Sequence, residues 1–294
     1  MTTRIFLLVA VVLLACVERP LQAQDTLRVM TDTTRVQVIR LSDGSTVIGR
    51  VTEVRGDSAV IRTQAGTLVV ARAAVLGVRE RAASTMRGGQ YWPEDPNATR
   101  LFFASTGRML RKGEGYFCDI WLLFLCLTGG ITDRLTIGGG MSVVPGIDIS
   151  DNIFYLTPKI GLWASERFQV AVGAFAGWTG AVTDDASSFG ILYGVGTYGT
   201  EDQNISLGAG YAYWSDDIAE KPMILAGIKM RMSRGIAFIS ENYLLPGESE
   251  NGIISFGLRF FNERISGDVG FVRLVGADDL GVGIPFVGLA VRFR

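Results

Sequence analysis

The sequence predicts an all-β protein, an antiparallel transmembrane β-barrel of about twelve strands preceded by a small β module. Three observations carry this prediction. From Thr99 onward, long segments alternate apolar and polar residues. Short and longer connections between those segments alternate along the chain. The chain is apolar overall, with a mean hydropathy of +0.29 and only 19% charged residues. Only one stretch of its sequence resembles a hydrophobic helix, and that stretch is N-terminal.

The first element is an export signal, predicted over residues 1–23. Arg4 precedes an apolar stretch, and "LQA" forms the exit from it. The motif "LLAC", which ends at Cys16, resembles a bacterial lipobox, so a lipoprotein lipidated at Cys16 is the alternative. In both cases the chain leaves the cytoplasm.

The second element is a compact β module, predicted over residues 25–80. The segments "VQVIRL", "TVIGRVTEV", "SAVIRTQ" and "TLVVAR" alternate apolar and polar residues and are separated by turn residues. The order "LSDGSTVIGRVTEV…TQAGTLVVARAAVLGVR" resembles the small SH3/Sm-like barrels, in which a short turn leads into the last strand. The module is either a spacer or a platform for a periplasmic partner. Residues 81–98, which contain Gly and Pro, are predicted to be a linker.

The third element is an outer-membrane barrel, predicted over residues 99–294. Its apolar run "IWLLFLCL" is too short for a spanning helix, which needs about 20 residues, but suits a membrane strand of about 9–11 residues. Apolar Ile228 and Met230 lie opposite Lys229 and Arg231 on one segment, which indicates an apolar exterior and a polar interior. The predicted strands are 100–105, 116–127, 134–144, 153–164, 167–178, 189–199, 204–214, 223–232, 236–245, 253–261, 265–275 and 284–293.

The connections between these strands fall into two alternating sets. The tight set is 132–134, 165–167, 200–204, 233–235 and 262–264. The longer set is 107–115, 145–152, 179–188, 215–222, 246–251 and 276–283. Short periplasmic turns and longer outer loops are typical of an outer-membrane barrel.

Several motifs resemble a family of uncharacterised bacterial outer-membrane β-barrel-like proteins. They are "NATRLFFASTGRMLRKGEGYF", "GITDRLTIGGGMSVVPG", "YLTPKIGLW", "YGVGTYG" and "IISFGLRFF". The resemblance covers Ala98 to the C-terminus and implies contact with outer-membrane lipid, but it implies no activity. The end "FVGLAVRFR" is similar to the signal read by the barrel-assembly machinery, with Gly288, Val291 and Phe293 at suitable spacing. It departs from that signal because Arg294 follows the aromatic residue.

Composition excludes several kinds of chemistry. Because the chain has no His, His-dependent triads and His metal sites are absent. Cys118 and Cys126 fall in one predicted strand and are expected to lie roughly 26 Å apart, beyond disulfide reach. A net charge of −1 gives no case for nucleic acid, and "GVGTYG" lacks the helix of a dinucleotide site. We therefore predict no cofactor, no metal and no enzymatic activity; an enzyme would depend on Asp119, Glu241 or Asp268.

Charged residues on the predicted inner face are the main candidate site. They are Arg134, Lys159, Arg167, Lys229, Arg231, Arg259 and Arg292, with Asp119, Glu241 and Asp268 as candidate partners. The core of this set, Lys159, Lys229, Arg231, Arg259, Glu241 and Asp268, is either a charge network that fills a narrow barrel or a basic constriction that selects small anions.

Acidic pairs recur in the long connections, and the candidates are Asp184 with Asp185, Asp216 with Asp217, and Asp278 with Asp279. They indicate solvated loops or, alternatively, weak bridging of divalent cations at the lipopolysaccharide surface. Together the patterns predict a structural barrel or a narrow small-solute channel. A scaffold or receptor that uses the module, and an outer-membrane enzyme, are the alternatives.

Overall fold

The computed structural model describes residues 27–88, 90–179, 188–245, 252–276 and 281–293. The chain divides into two compact units between Trp92 and Pro93. The predicted export signal, Cys16 and the acidic pairs at 184–185 and 278–279 lie outside the described residues. No α-helix in the described ranges is long and apolar enough to cross a membrane.

The first unit is a five-stranded antiparallel sheet. Its strands are β1 (Arg35–Leu41), β2 (Thr46–Arg55), β3 (Ser58–Thr63), β4 (Gly66–Ala71) and β5 (Val75–Ala82), in the order β4-β3-β2-β1-β5. A short 3-10 turn, Arg72–Ala74, precedes β5, as predicted. Alternate apolar side chains such as Ile39, Val51, Ile61 and Val78 form its core. Within the described residues the sheet is open, with β4 and β5 at its edges, so the closed SH3/Sm-like barrel is not what the structure describes.

Residues 81–98 do not form one extended linker. β5 continues to Ala82, and a small hairpin follows, made of β6 (Met86–Arg87) and β7 (Gln90–Tyr91). Residues from Pro93 onward belong to the second unit. The predicted linker is therefore divided between the two units.

The second unit is a closed antiparallel barrel. Its elements are β8 (Gly115–Ile120), β9 (Phe124–Thr132), β10 (Leu135–Ser142), β11 (Ile153–Ala164), β12 (Phe168–Thr179), β13 (Ser188–Gly199), β14 (Gln203–Trp214), β15 (Asp217–Ile218), β16 (Met223–Ser233), β17 (Ile236–Leu244), β18 (Gly252–Phe261), β19 (Ile265–Leu274) and β20 (Ile284–Phe293). Twelve of the described strands close the barrel, because β20 pairs with β8 from Gly288↔Ile120 to Phe293↔Gly115. The two-residue β15 only extends the edge of β14.

The number of strands was predicted correctly, but two strand assignments were wrong. The predicted strand 116–127 is a hairpin: β8 and β9 are joined by a tight turn at Trp121 and Leu122, whose φ angles are 57° and 60°. The predicted strand 100–105 is not part of the barrel wall. The two errors cancel in the count.

The two faces of the wall differ as predicted. On β16, Ile228 and Met230 are exposed, whereas Lys229 is buried on the opposite face. On β10, Ile137 is exposed and Thr136 is buried. An apolar exterior around a polar interior is the pattern of a barrel in lipid.

The two ends of the barrel also differ. Five tight connections, between β9 and β10, β11 and β12, β13 and β14, β16 and β17, and β18 and β19, lie at one end, which we term the short-turn end. The longer connections lie at the opposite, long-loop end, as predicted. The turn at Trp121 is the exception among the described connections, since it is tight and lies at the long-loop end.

Candidate functional site

Residues 93–114, which we term the lumen insert, fold into the interior of the barrel ahead of β8. Both ends of the insert are held at the short-turn end. The Asp95 amide donates to Glu201, at 2.9 Å, and the Lys112 amide donates to Asp133, at 2.9 Å. Between them the insert makes a tight hairpin, in which the Leu101 amide donates to the carbonyl of Ala104 at 2.9 Å.

Residues 100–105, which the sequence predicted as a strand, form this hairpin. Arg100 and Ser105 form an isolated antiparallel bridge, and the Thr106 amide donates to the Thr99 carbonyl at 2.9 Å. The strand prediction was wrong for this segment, because residues 101–104 form a bend and only Arg100 and Ser105 pair, inside the lumen.

Asp95 anchors the insert to two cations of the wall. Its Oδ2 lies 2.5 Å from Lys229 Nζ and 3.1 Å from Arg259 Nη1. All three side chains are buried. Burial alone would raise the pKa of Asp95, but Lys229 and Arg259 hold that pKa well below its usual range. The carboxylate therefore stays ionised and paired.

Arg259 joins the wall to the backbone of the insert. Its Nε and Nη2 form a two-pronged ion pair with Asp268 on the neighbouring strand, at 2.7 and 2.9 Å. The same guanidinium donates to the carbonyls of Asn97, Arg100 and Leu101, at 2.8, 3.2 and 2.6 Å. Such charge-assisted bonds are stronger than neutral ones. Arg259 thus binds the N-terminal half of the hairpin.

Lys159 holds the insert from the opposite wall. Its Nζ donates to the carbonyls of Thr99, Thr106 and Arg108, at 3.3, 3.2 and 2.8 Å. An ammonium group has three donors, and here all three are used. Lys159 therefore gathers both strands of the hairpin through main-chain oxygens.

Glu241 binds the tip of the hairpin. Its Oε2 accepts the amides of Phe102, Phe103 and Ala104, at 2.8, 3.1 and 3.2 Å. The Tyr243 hydroxyl donates to the other carboxylate oxygen at 2.7 Å. The Glu241 carboxylate thus satisfies a row of backbone donors that would otherwise be buried without partners.

Arg231, another member of the predicted charge set, makes contacts at the short-turn end of the barrel. It pairs with Asp202 at 2.8 Å and donates to backbone carbonyls of the adjacent short turn. Its guanidinium lies 4.9 Å from the centre of the Phe261 ring. Arg231 therefore stabilises the rim at the short-turn end.

Aromatic side chains cover the tip of the insert at the long-loop end. Phe102 and Phe103 pack against Phe286, with ring centres 4.7 and 5.0 Å away, and Trp121 lies 5.1 Å from Phe103. The Trp121 indole also donates to the Pro285 carbonyl at 2.8 Å. The tight turn between β8 and β9 thus contributes to this cluster.

The insert leaves open volume in the lumen. Two adjoining cavities of about 310 and 210 Å³ share Phe103, Ser105, Thr157 and Phe175. A third, more polar cavity of about 180 Å³ lies at the short-turn end, where Arg292 pairs with Glu114 at 2.7 Å.

The cysteine prediction was wrong. Cys118 and Cys126 face each other on β8 and β9 and form a disulfide, with Cα atoms 4.9 Å apart. The expected separation failed because the chain reverses between them at Trp121. The bond lies on the inner side of the wall, beside Arg100, whose Nη1 is 3.2 Å from the Cys118 sulfur.

Other predicted residues lie apart from the insert contacts. Arg134 and Arg167, assigned to the inner face, are exposed. Gly288, Val291 and Phe293 lie on β20 at the closing seam with β8. Asp216 and Asp217 are exposed at the long-loop end. Within the described ranges, no group of Cys, Asp or Glu side chains is arranged to hold a metal ion.

Sequence reasoning missed the insert and its residues Asp95 and Arg100. Asp95 lies in a stretch with Pro on both sides, which is typical of a linker. Arg100 lies in a segment that the sequence predicts to be a strand. One signal was present, namely the mostly apolar stretch "LFFAS" between Arg100 and Thr106, but such a stretch does not distinguish a wall strand from a segment in the lumen.

The geometry defines the class of protein. A closed antiparallel barrel with an even number of strands, an apolar exterior, a polar interior and unequal ends is an outer-membrane β-barrel.

Comparisons with known proteins find solved structures of low sequence identity. No protein-family model and no curated protein matches the chain. Among solved structures, the KdgM porin in complex with disordered oligogalacturonate is 12% identical, with a TM-score of 0.44 over 62% of this chain and 98% of that chain. A loop L8 deletion mutant of OmpT, an outer membrane protein of Vibrio cholerae, is 12% identical, with a TM-score of 0.35 over 88% and 97%. Salmonella typhi OmpF in complex with daunomycin is 11% identical, with a TM-score of 0.30 over 88% and 95%.

Proposed function

We propose that the protein is an outer-membrane channel for small solutes that the lumen insert holds closed at rest. The observation that carries the proposal is that Lys159, Lys229, Arg259 and Glu241 each bind the insert inside the barrel. Charged side chains from four strands of the wall thus bind one short segment of the chain.

The chemistry of these contacts favours a releasable closure over a permanent core. Removing ions from water is costly, and a well-packed apolar plug would fill a barrel at equal or lower free energy. Ions and backbone groups, in contrast, can form hydrogen bonds with water in place of the insert contacts when the segment moves. Polar contacts are therefore suited to a plug that leaves and returns.

An anion-preferring passage is the second part of the proposal. Withdrawal of the insert would leave Lys159, Lys229, Arg231 and Arg259 in the wall with Glu241 and Asp268. This set has more cations than anions, and the sign of the charge that lines a pore sets its selectivity.

We place the β1–β5 unit in the periplasm after export through the N-terminal signal. Short turns are periplasmic in bacterial barrels, and the insert starts at the short-turn end. Assembly through the barrel machinery, an adjacent lipid anchor at Cys16 and the absence of enzymatic activity stay predictions.

The test is single-channel recording of the refolded protein in planar bilayers. The wild type should carry no steady current, whereas Asp95→Ala with Glu241→Gln should conduct, because it loses one anchor near the start of the insert and one at the tip of its hairpin. Asp216→Ala with Glu166→Gln, on exposed residues, is the control. A steady wild-type current would contradict closure at rest, and a folded but silent double variant would contradict the channel.

Selectivity is measured on the same conducting variant. Its reversal potential in a KCl gradient should indicate anion preference. Adding Lys229→Glu should move that potential toward cation preference. A reversal potential that ignores the added substitution would reject the basic lumen.

The scaffold alternative is favoured by the edge of the first unit. Strand β4 is an edge strand, and Leu68 and Val69 on it are exposed. An exposed edge with apolar side chains can accept an added strand from a partner. If the unit is a platform, Val69→Lys should lose a periplasmic protein that the wild type retains, while channel recordings stay unchanged.

A further inference from the structure

One cavity of the barrel contains a buried cation whose hydrogen-bonding groups are only partly used. The cavity, of about 310 Å³, lies beside the insert and is lined by Arg100, Tyr116, Trp121, Phe124, Tyr155 and Phe175. Arg100 is only 7% exposed. Its Nη1 contacts the sulfur of Cys118, but its Nε and Nη2 have no hydrogen-bond partner.

The surroundings of Arg100 do not compensate its charge. The guanidinium lies 5.9 Å from the centre of the Tyr116 ring, which gives a weak cation–π contact at most. Among the described residues no carboxylate forms an ion pair with it, and the carboxylates of Asp95, Asp268 and Glu241 bind other partners. A buried charge without a partner is costly, so this arrangement indicates a site for an anion.

The two unused nitrogens also define the shape of that anion. Nε and Nη2 form one edge of the planar guanidinium, which matches the two oxygens of a carboxylate. Thr136 adds a buried hydroxyl without a partner on the same cavity. Six aromatic side chains also line the cavity, which suits a flat or compact apolar body: Phe103, Tyr116, Trp121, Phe124, Tyr155 and Phe175.

We propose that this cavity binds a small amphipathic carboxylate, with its carboxylate on Arg100 and its apolar body against Trp121, Phe124 and Phe175. A volume of about 310 Å³ is at the lower end of ligand pockets, so the ligand has the size of a monocyclic aromatic acid. The site exists with the insert in place, and the inference therefore does not depend on whether the barrel conducts.

The test is isothermal titration of the refolded full chain in a nonionic detergent, with phenylacetate as the probe. Phenylacetamide keeps the ring but is neutral, so comparison with it measures the contribution of the carboxylate to binding. Sulfate is an anion without an apolar body, so comparison with it measures the contribution of that body. Phenylacetate should bind about 10- to 100-fold more tightly than either, which is the range expected for charge-assisted hydrogen bonds. Equal binding of the acid and the amide would overturn the proposal, and so would the absence of binding by the acid.

Substitutions locate the site. Arg100→Gln should remove the preference for the acid over the amide, and Arg100→Lys, which keeps the charge but lacks the two-pronged edge, should retain part of it. Arg167→Gln, at an exposed short turn, is the matched control and should bind as the wild type does. Heat-dependent migration on gels confirms that each variant folds; if Arg100→Gln does not fold, Arg100→Lys decides. If the folded variant still prefers phenylacetate over phenylacetamide as strongly as the wild type does, the assignment of the carboxylate site to Arg100 is overturned.

Discussion

Replacing Asp95 by Ala removes the carboxylate that two buried cations share. Arg259 keeps its ion pair with Asp268, so the group left without a partner is mainly Lys229. Breaking a buried ion pair by removing one partner costs about 3–5 kcal/mol, and the retained pair puts the expected value near the lower end. About 3 kcal/mol corresponds to a roughly 100-fold larger population of the released insert.

Trypsin measures that population, because Arg100 is a cleavage site buried inside the barrel. When reclosure is faster than cleavage, the cleavage rate follows the equilibrium population of the open state. Asp95→Ala should therefore be cut after Arg100 about 100-fold faster than the wild type, with the barrel still heat-modifiable on gels. Asp216→Ala, in an exposed loop, is the control and should not change the rate.

A second substitution separates loss of the ion pair from general damage. Adding Lys229→Met to Asp95→Ala removes the stranded ammonium group, so the rate should fall back toward that of the wild type. The reasoning is refuted if Asp95→Ala is cut no faster than the wild type, or if the double variant is cut as fast as Asp95→Ala alone.

Three further predictions concern the wall, the tip of the insert and the first unit. Ile228→Arg on the lipid-facing side should hinder folding by about 2–4 kcal/mol, measured by heat-modifiable migration, whereas Thr136→Arg on the lumen side should be milder; equal effects would reject the assigned faces. Gly227→Ala should speed trypsin cleavage of the insert, because the added Cβ collides with the side chain at its tip, while Gly194→Ala, which has room, should not; equal rates would contradict the packing. A chain without residues 25–80 should still give a heat-modifiable barrel, since the barrel closes on its own strands; loss of that form would show one folding unit.

Most of the barrel was predictable because its strands obey a simple rule. On β16, apolar Ile228 and Met230 face outward while Lys229 is buried inside, and the period of two in the sequence reports this directly. The tight connections contain Asp, Asn, Ser or Gly, which favour turns for known reasons. Local pattern and global fold agree here.

The turn between β8 and β9 was not predictable from local signals. Trp121 and Leu122 adopt left-handed φ angles of 57° and 60°, which side chains of this kind rarely adopt. Distant contacts compensate that conformation: Trp121 donates to the Pro285 carbonyl and packs against Phe286. Because no Gly or Asn marks the reversal, the sequence predicted one long strand in place of β8 and β9. The disulfide between Cys118 and Cys126 was therefore not predicted.

The lumen insert was hidden for a related reason. Asp95 and Lys229 are 134 positions apart, and nothing local in a Pro-flanked segment indicates a buried ion pair. Lys159, Lys229 and Arg259 are buried, and most of their partners are main-chain groups, which carry no sequence signal. Arg134 and Arg167, assigned to the same face, are exposed. Polar satisfaction inside the barrel becomes visible only with the tertiary structure.

Hydrogen exchange of the insert's tip tests the central claim most directly. The amides of Phe102, Phe103 and Ala104 are bonded to the buried Glu241 carboxylate. If the insert occupies the lumen at rest, a peptide covering residues 101–105 should exchange as slowly as the strands of the wall, measured by mass spectrometry on the refolded full chain. Exchange as fast as in the exposed loop 215–222 would contradict it.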